Sequence, residues 1–92
     1  MKHGEYKTPG GKLVIVDFTV DSGRLKDVQI NGDFFLEPPD ALEALNRSLE
    51  GAAADASEQE LTRFLEEAVP DGAELYGFSP AGIAIAVKRA LQ

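Results

Sequence analysis

A run of alternating residues from Lys12 to Val20 restricts the fold of this chain more than any other segment. Tight-turn signals flank it, Pro9-Gly10-Gly11 on one side and Asp21-Ser22-Gly23-Arg24 on the other. A strand between two tight turns has antiparallel neighbours, which we expect at Glu5–Lys7 and Leu25–Ile30. The alternation places Val14, Val16, Phe18 and Val20 on one face of this strand and Leu13, Ile15, Asp17 and Thr19 on the other, and we predict that Val28 and Ile30 of the next strand face inward.

The chain after this hairpin is less regular. Asn31-Gly32 is a turn signal, and the short apolar run Phe34-Phe35-Leu36 follows it. Pro38-Pro39 then ends the sheet, because proline has no backbone N–H to donate to a strand pair. The N-terminal part of the chain therefore predicts an antiparallel meander of three or four strands.

The rest of the chain has the spacing of amphipathic helices. A first helix is predicted over Asp40–Glu50, with Gly51 as its left-handed C-terminal cap. A second helix begins after Ser57, since Glu60 three residues later completes a capping box. Strands followed by two to three helices packed on one face of the sheet give an α+β fold, which we predict to form a single domain over residues 1–92.

A third helix is predicted from the Ser79-Pro80 N-cap to about Leu91. Its first half, Gly82–Val87, is apolar on nearly every side, so we expect it either within the core or partly against another protein. The preceding residues, Leu75–Phe78, are expected to be a connection that packs its aromatic side chains under the sheet.

Composition and charge exclude several classes of protein. The chain has no cysteine, so disulfides, thiolate metal sites and sulfur transfer lack their reactive group. No apolar run approaches the roughly 18 residues that span a bilayer, and no secretory signal is apparent, so a cytoplasmic protein is expected. The net charge of −7 has the wrong sign for nucleic acid. Residues 37–74 alone carry −9, which indicates either a solvated helical face or an acidic docking surface.

Residues suited to catalysis are scarce. The only histidine, His3, lies where chain termini usually fray, and no second histidine or cysteine could complete a zinc site or a nucleophile–base pair. Glu66 and Glu67 are neighbours on a helix and point about 100° apart, which suits solvent better than a shared proton. We therefore predict no catalytic residue and no metal site.

The turn Pro9-Gly10-Gly11-Lys12 is one candidate binding feature. It is not a Walker phosphate loop, which needs a glycine where this chain has Tyr6 and a hydroxyl where it has Leu13. The simpler interpretation is a hairpin turn in which the glycines adopt positive φ. Its backbone N–H groups, with Lys7 and Lys12, could also bind an anion.

The segment Gly32-Asp33-Phe34-Phe35 is the other candidate. Because adjacent side chains of a strand point to opposite faces, only one of the two phenylalanines can join this core. The other is expected either under the loop at Pro38 or against a partner.

Several of these segments, in this order, resemble the C-terminal accessory domain of lipoate–protein ligase. The distinctive ones are Tyr6–Leu13, which reads YKTPGGKL, and Ile30–Phe35, which reads INGDFF. The succession of Leu42, Leu45, Leu49 and Gly51 also fits, and the likeness extends over nearly the whole chain. In some organisms, notably archaea, this domain is a separate small subunit.

The resemblance implies a fold similar to the sulfur-acceptor and iron–sulfur scaffold domains, in which helices back a sheet. It also implies a non-catalytic subunit that a large catalytic subunit needs for lipoate activation. The large subunit would bind ATP, Mg and lipoate, form lipoyl-adenylate and lipoylate a lysine of an acceptor domain. The chain itself would bind no cofactor, form a heterodimer with the large subunit and meet lipoyl acceptor domains only indirectly, without nucleic acid or membrane.

The resemblance makes both candidate segments the expected contacts with the partner or its nucleotide. Their residues are Lys7, Gly10, Gly11, Lys12, Gly32, Asp33, Phe34 and Phe35. Two hypotheses from other classes remain. One is a stand-alone adaptor that docks through its acidic helical face and is unrelated to lipoylation. The other is a small enzyme, which the lack of a convergent acid–base set disfavours.

Overall fold

A computed structural model describes all 92 residues of the chain. Its main sheet has three antiparallel strands in the order β1-β2-β3, namely β1 (Lys2–Lys7), β2 (Leu13–Asp21) and β3 (Arg24–Gly32). Both hairpins of the predicted meander are therefore confirmed, and β1 is longer than the alternation alone indicated.

The inward face of the sheet agrees with the predicted alternation except at Val20. Val14, Val16 and Phe18 are completely buried, whereas Val20 is 39% exposed. The register between β2 and β3 shifts between Asp17 and Thr19. Such a bulge increases the local twist of the hairpin, so Val20 lies beyond the part of the strand that covers the core, although the alternation groups it with the buried residues.

A fourth strand forms, but it does not join the meander. The strand β4 (Phe35–Glu37) pairs with β5 (Glu74–Tyr76) in a separate two-stranded antiparallel ribbon. The expected turn at Asn31-Gly32 is wrong, because β3 continues through both residues. The expected connection at Leu75–Phe78 is also wrong in part, since it begins within β5 and only Phe78 of its aromatic residues is buried.

The three predicted helices are present as α1 (Ala41–Leu49), α2 (Glu58–Ala68) and α3 (Pro80–Ala90). The capping box of α2 is complete, since Ser57 Oγ accepts from the Glu60 N–H and the Glu60 carboxylate accepts from the Ser57 N–H. Gly51 follows α1 with a φ of 79°, which is the left-handed conformation expected of a C-terminal cap. None of the three helices has the length and apolar character needed to cross a membrane.

The apolar helix α3 lies inside the core, between the strands β1 and β2 and the helix α2. Its buried residues are Gly82, Ile83, Ala84, Ala86, Val87 and Ala90. The closest approach is at Gly4, where a Cβ atom would overlap the Ala86 carbonyl oxygen and lie 2.8 Å from the Ala90 nitrogen. Of the two predicted environments for this helix, burial within the chain's own core is the correct one.

Candidate interaction surface

The hairpin between β1 and β2 has a tightly hydrogen-bonded tip. The Thr8 N–H donates to the Lys12 carbonyl at 3.1 Å, and the Gly11 N–H donates to the Thr8 carbonyl at 2.8 Å. Gly10 has a φ of 71°, as the hairpin interpretation predicts, but the φ of Gly11 is not positive, so the prediction for the second glycine is wrong. The Lys7 ammonium donates to the Gly11 carbonyl at 2.7 Å, so this lysine closes the turn.

The tip is attached to the end of the ribbon. The Lys12 N–H donates to the Gly77 carbonyl at 2.8 Å, one residue beyond β5. The Lys12 side chain crosses Gly77 so closely that a Cβ atom there would lie 2.5 Å from Lys12 Cγ. Gly77 also has a φ of 85°, so glycine is required at this position for two reasons.

The Lys12 ammonium has no ion-pair or hydrogen-bond partner within the chain, unlike the ammonium of Lys7. Only the stem of Lys12 packs, and the residue as a whole is exposed. The free positive charge at the tip is therefore that of Lys12.

The segment after β3 lies against the base of the same hairpin. The Asp33 N–H donates to the Leu13 carbonyl at 3.3 Å. A Cβ atom on Gly32 would overlap that carbonyl oxygen and lie 2.8 Å from the Phe34 ring. The glycine therefore allows β2 and the chain that leads into β4 to approach each other.

The two phenylalanines separate as the strand geometry requires. Phe34 turns inward and stacks on Phe78, with ring centroids 4.1 Å apart. Phe35 turns outward, is 60% exposed, and lies 6.0 Å from the ring of Tyr76, which is 46% exposed. The core thus takes Phe34, and Phe35 is left on the surface.

These contacts bring both candidate segments to one end of the molecule, which we call the hairpin end. It comprises the residues Lys7, Gly10, Gly11, Lys12, Gly32, Asp33, Phe34 and Phe35, together with Tyr76, Gly77 and Phe78. The last three were not predicted as site residues. Tyr76 ends β5, Gly77 and Phe78 follow it, and the partner strand of β5 is distant in the chain. The structure contains no pocket, so the hairpin end is a surface rather than a cleft.

His3 lies elsewhere, on the outward face of the three-stranded sheet. The expectation that it frays is wrong, because β1 begins at Lys2 and His3 pairs with Asp17 across the strands. Its Nε2 lies 2.7 Å from a Glu5 carboxylate oxygen and its Nδ1 lies 2.6 Å from one of Asp17. These hydrogen bonds, to Glu5 first and then to Asp17, raise the pKa of His3 above 6.5 because they favour the imidazolium.

Fold and surface together define a class of protein: a small α+β module with helices on one sheet face and an exposed, glycine-rich end. Residues 3–71, about three quarters of the chain, match the family described as the C-terminus of bacterial lipoate protein ligase. The chain belongs to this family, and the resemblance seen in its sequence is confirmed.

Two archaeal proteins are similar to it. Lipoate-protein ligase A subunit 2 of Thermoplasma acidophilum is 32% identical over 57 residues, or 62% of this chain. The match spans 61% of that relative's length. A solved chain from an archaeal lipoylation system, a bipartite lipoate protein ligase and its E2 lipoyl domain from the same organism, has the same fold. It is 26% identical, with a TM-score of 0.70 over 94% of this chain and 90% of that chain.

Proposed function

We propose that this protein is the non-catalytic accessory subunit of a lipoate–protein ligase and acts as a heterodimer with a large catalytic subunit. The large subunit binds ATP, Mg and lipoate, and it requires this protein to form lipoyl-adenylate. The proposal rests on membership of the family. The structural likeness to an archaeal chain, over nearly the whole length of both chains, supports it. The Thermoplasma relative is itself the second subunit of its ligase.

The hairpin end is the part of the chain that we assign to the large subunit. It combines the exposed glycine turn at Gly10, the free Lys12 ammonium and the exposed ring of Phe35. If the tip reaches the active site, Lys12 stabilises the charge that develops on the leaving pyrophosphate. If the tip stops at the subunit interface, it braces the loops of the large subunit.

The proposal is tested by lipoate-dependent exchange of pyrophosphate into ATP. The large-subunit homologue from the same genome is assayed alone, with this protein, and with an unrelated acidic protein of similar size as the control. We expect exchange only when this protein is added, because adenylation is the step that produces pyrophosphate.

Full exchange by the large subunit alone would contradict the proposal, as would no exchange with both folded proteins present. In either case the chain would be better explained as an adaptor that is unrelated to lipoylation.

A further inference from the structure

The β4–β5 ribbon has one face in the core and the other in solvent. Leu36 and its register partner Leu75 point inward, and Leu36 is 7% exposed. The outward face, which we call the ribbon face, consists of Phe35, Glu37, Glu74 and Tyr76, all exposed. Phe35 and Tyr76 are register partners and form an exposed aromatic pair.

The other two residues of the ribbon face are a pair of like charges. Glu37 and Glu74 are opposite each other in the register, and neither forms an ion pair within the chain. Carboxylates directly opposite each other destabilise a strand pair. Two strands of three residues therefore carry an unfavourable charge pair that no cation of this chain offsets.

The negative potential extends to the aromatic pair. The Tyr76 hydroxyl donates to a Glu74 carboxylate oxygen at 2.8 Å. This hydrogen bond, then desolvation, and then the charges of Glu74 and Glu37 raise the pKa of Tyr76 above 10.0. The rings and the carboxylates thus form one continuous surface.

A group that suits this surface needs a positive charge and a flat apolar face. The guanidinium of arginine has both, since it stacks on aromatic rings and forms paired hydrogen bonds with carboxylates. We propose that the ribbon face docks an arginine-bearing surface of the large ligase subunit. This inference rests on the proposed function and adds the chemistry by which the two subunits recognise each other.

A second copy of this chain is a poorer occupant of the same surface. Self-association about a two-fold axis would place the ribbon face against itself and bring four carboxylates together. The chain also carries a net charge of −7, which favours a partner of opposite charge.

The test measures the affinity of this protein for the large subunit by titration calorimetry, with the paired substitution Glu37→Gln and Glu74→Gln. Glutamine keeps an acceptor for the Tyr76 hydroxyl and removes the charge repulsion, so the variant folds at least as stably as the unaltered chain. We expect roughly tenfold weaker binding at about 0.05 M salt, and a much smaller difference at about 0.5 M salt, where exposed charges are screened.

The aromatic part of the surface is tested with Phe35→Ser. Because Phe35 is 60% exposed, its removal costs the free protein little. We expect binding to weaken about 10- to 100-fold at both salt concentrations. The matched control, Glu66→Gln with Glu67→Gln, removes two exposed carboxylates from α2 and should leave the affinity within about twofold.

Each further result has a definite meaning. If all variants bind the large subunit as tightly as the unaltered chain, the ribbon face is not the interface. This inference and the role of Phe35 in the hairpin end are then overturned, whereas the proposed accessory subunit is not. If Phe35→Ser weakens binding but the paired glutamine variant does not, the surface is a contact without a cationic partner, and the inference is again wrong. If the unaltered chain does not bind the large subunit, the proposed function fails as well.

Discussion

Lys7 and Lys12 flank the same turn, but the contacts of their ammonium groups differ. The Lys7 ammonium donates to the Gly11 carbonyl at 2.7 Å. The Lys12 ammonium has no partner, and only the aliphatic part of that side chain packs, across Gly77. From the sequence the two residues are equivalent cations beside two glycines. Their division into a structural lysine and an available one follows from the distant residue Gly77, which no local pattern indicates.

Replacement of the Lys12 charge should lower the rate of pyrophosphate exchange without lowering the stability of the fold. Lys12→Met keeps the stem on Gly77 and removes the charge, so we expect the free energy of unfolding to change by less than about 0.5 kcal/mol. Under the proposed contact with the leaving pyrophosphate, the exchange rate should fall about 10²- to 10³-fold, equivalent to about 2–4 kcal/mol. Denaturant unfolding and pyrophosphate exchange measure the two quantities.

The charge reversal Lys12→Glu distinguishes the two roles of the tip. Lost turnover with intact subunit binding indicates contact with the nucleotide, and lost binding indicates bracing. Lys7→Met serves as the comparison. It should lower the free energy of unfolding by about 0.5–1.5 kcal/mol, because the Gly11 carbonyl loses its donor. Equal stability losses for both methionine variants would contradict the distinction between the lysines.

His3 should make stability depend on pH in a defined direction. Its pKa is raised in the folded chain, so the folded chain binds the His3 proton more tightly than the unfolded chain does. The stabilisation is fully present below the unfolded pKa near 6.5 and is lost as pH rises through the higher folded value. Since His3 is the only histidine, a single imidazole resonance reports its titration by NMR.

The matched variant is His3→Gln. Its free energy of unfolding should fall below that of the unaltered chain at acidic pH and approach it at alkaline pH. A His3 resonance that titrates at or below pH 6.5 would contradict the hydrogen bonds to Glu5 and Asp17.

At the scale of elements, the packing of β1 on α3 depends on the absence of a side chain. Gly4 lies against the backbone of Ala86 and Ala90, with no space for a Cβ atom. Gly82 in α3 also lies close to this strand, although less tightly. A Cβ atom on Gly82 would lie 3.3 Å from Cδ2 of the Tyr6 ring. The strand and the helix therefore approach more closely than larger residues would allow.

The substitution Gly4→Ala should destabilise the fold through this contact alone. The φ of Gly4 is not positive, so the expected cost is steric, about 1–3 kcal/mol as for other overpacked cores. Thermal and denaturant unfolding measure it, with Lys2→Ala on an exposed position of the same strand as the control. A stability unchanged by Gly4→Ala would mean that β1 and α3 separate without cost.

Elements defined by local patterns could be predicted, and those defined by distant partners could not. The alternation in β2, the Ser57–Glu60 capping box and the Ser79-Pro80 N-cap each act within a few residues, and all are present. The ribbon depends on pairing residues 35–37 with residues 74–76, and the sequence between them contains nothing that specifies this pairing. The hairpin end was therefore predicted as two separate segments and not as one surface.

At the scale of the whole molecule, the acidic face of the helices and the glycine-rich hairpin end belong to different elements, although the ribbon adds Glu37 and Glu74 beside the hairpin end. Residues 37–74 carry most of the negative charge, and α1 and α2 lie within them. The hairpin end is built from the β1–β2 turn and from the ribbon with its flanking residues. The ligase subunit and the stand-alone adaptor therefore use different surfaces of the same chain.

Hydrogen exchange on the complex should show which surface is used. On mixing with the large subunit, we expect slower amide exchange in residues 8–12, 33–37 and 74–78, because docking limits both solvent access and opening of the ribbon. Exchange in α1 and α2 should be unchanged. Protection confined to α1 and α2 would instead favour docking through the acidic helical face.

The contact between β1 and α3 also determines when this chain can finish folding. Residues 4 and 86 touch across it, although they are 82 positions apart. While the ribosome is still synthesising α3, the apolar side of the sheet, with Val14, Val16 and Phe18, has no cover from that helix. Contacts so distant in sequence form late. A nascent chain stalled before residue 80 would therefore be a substrate for chaperones.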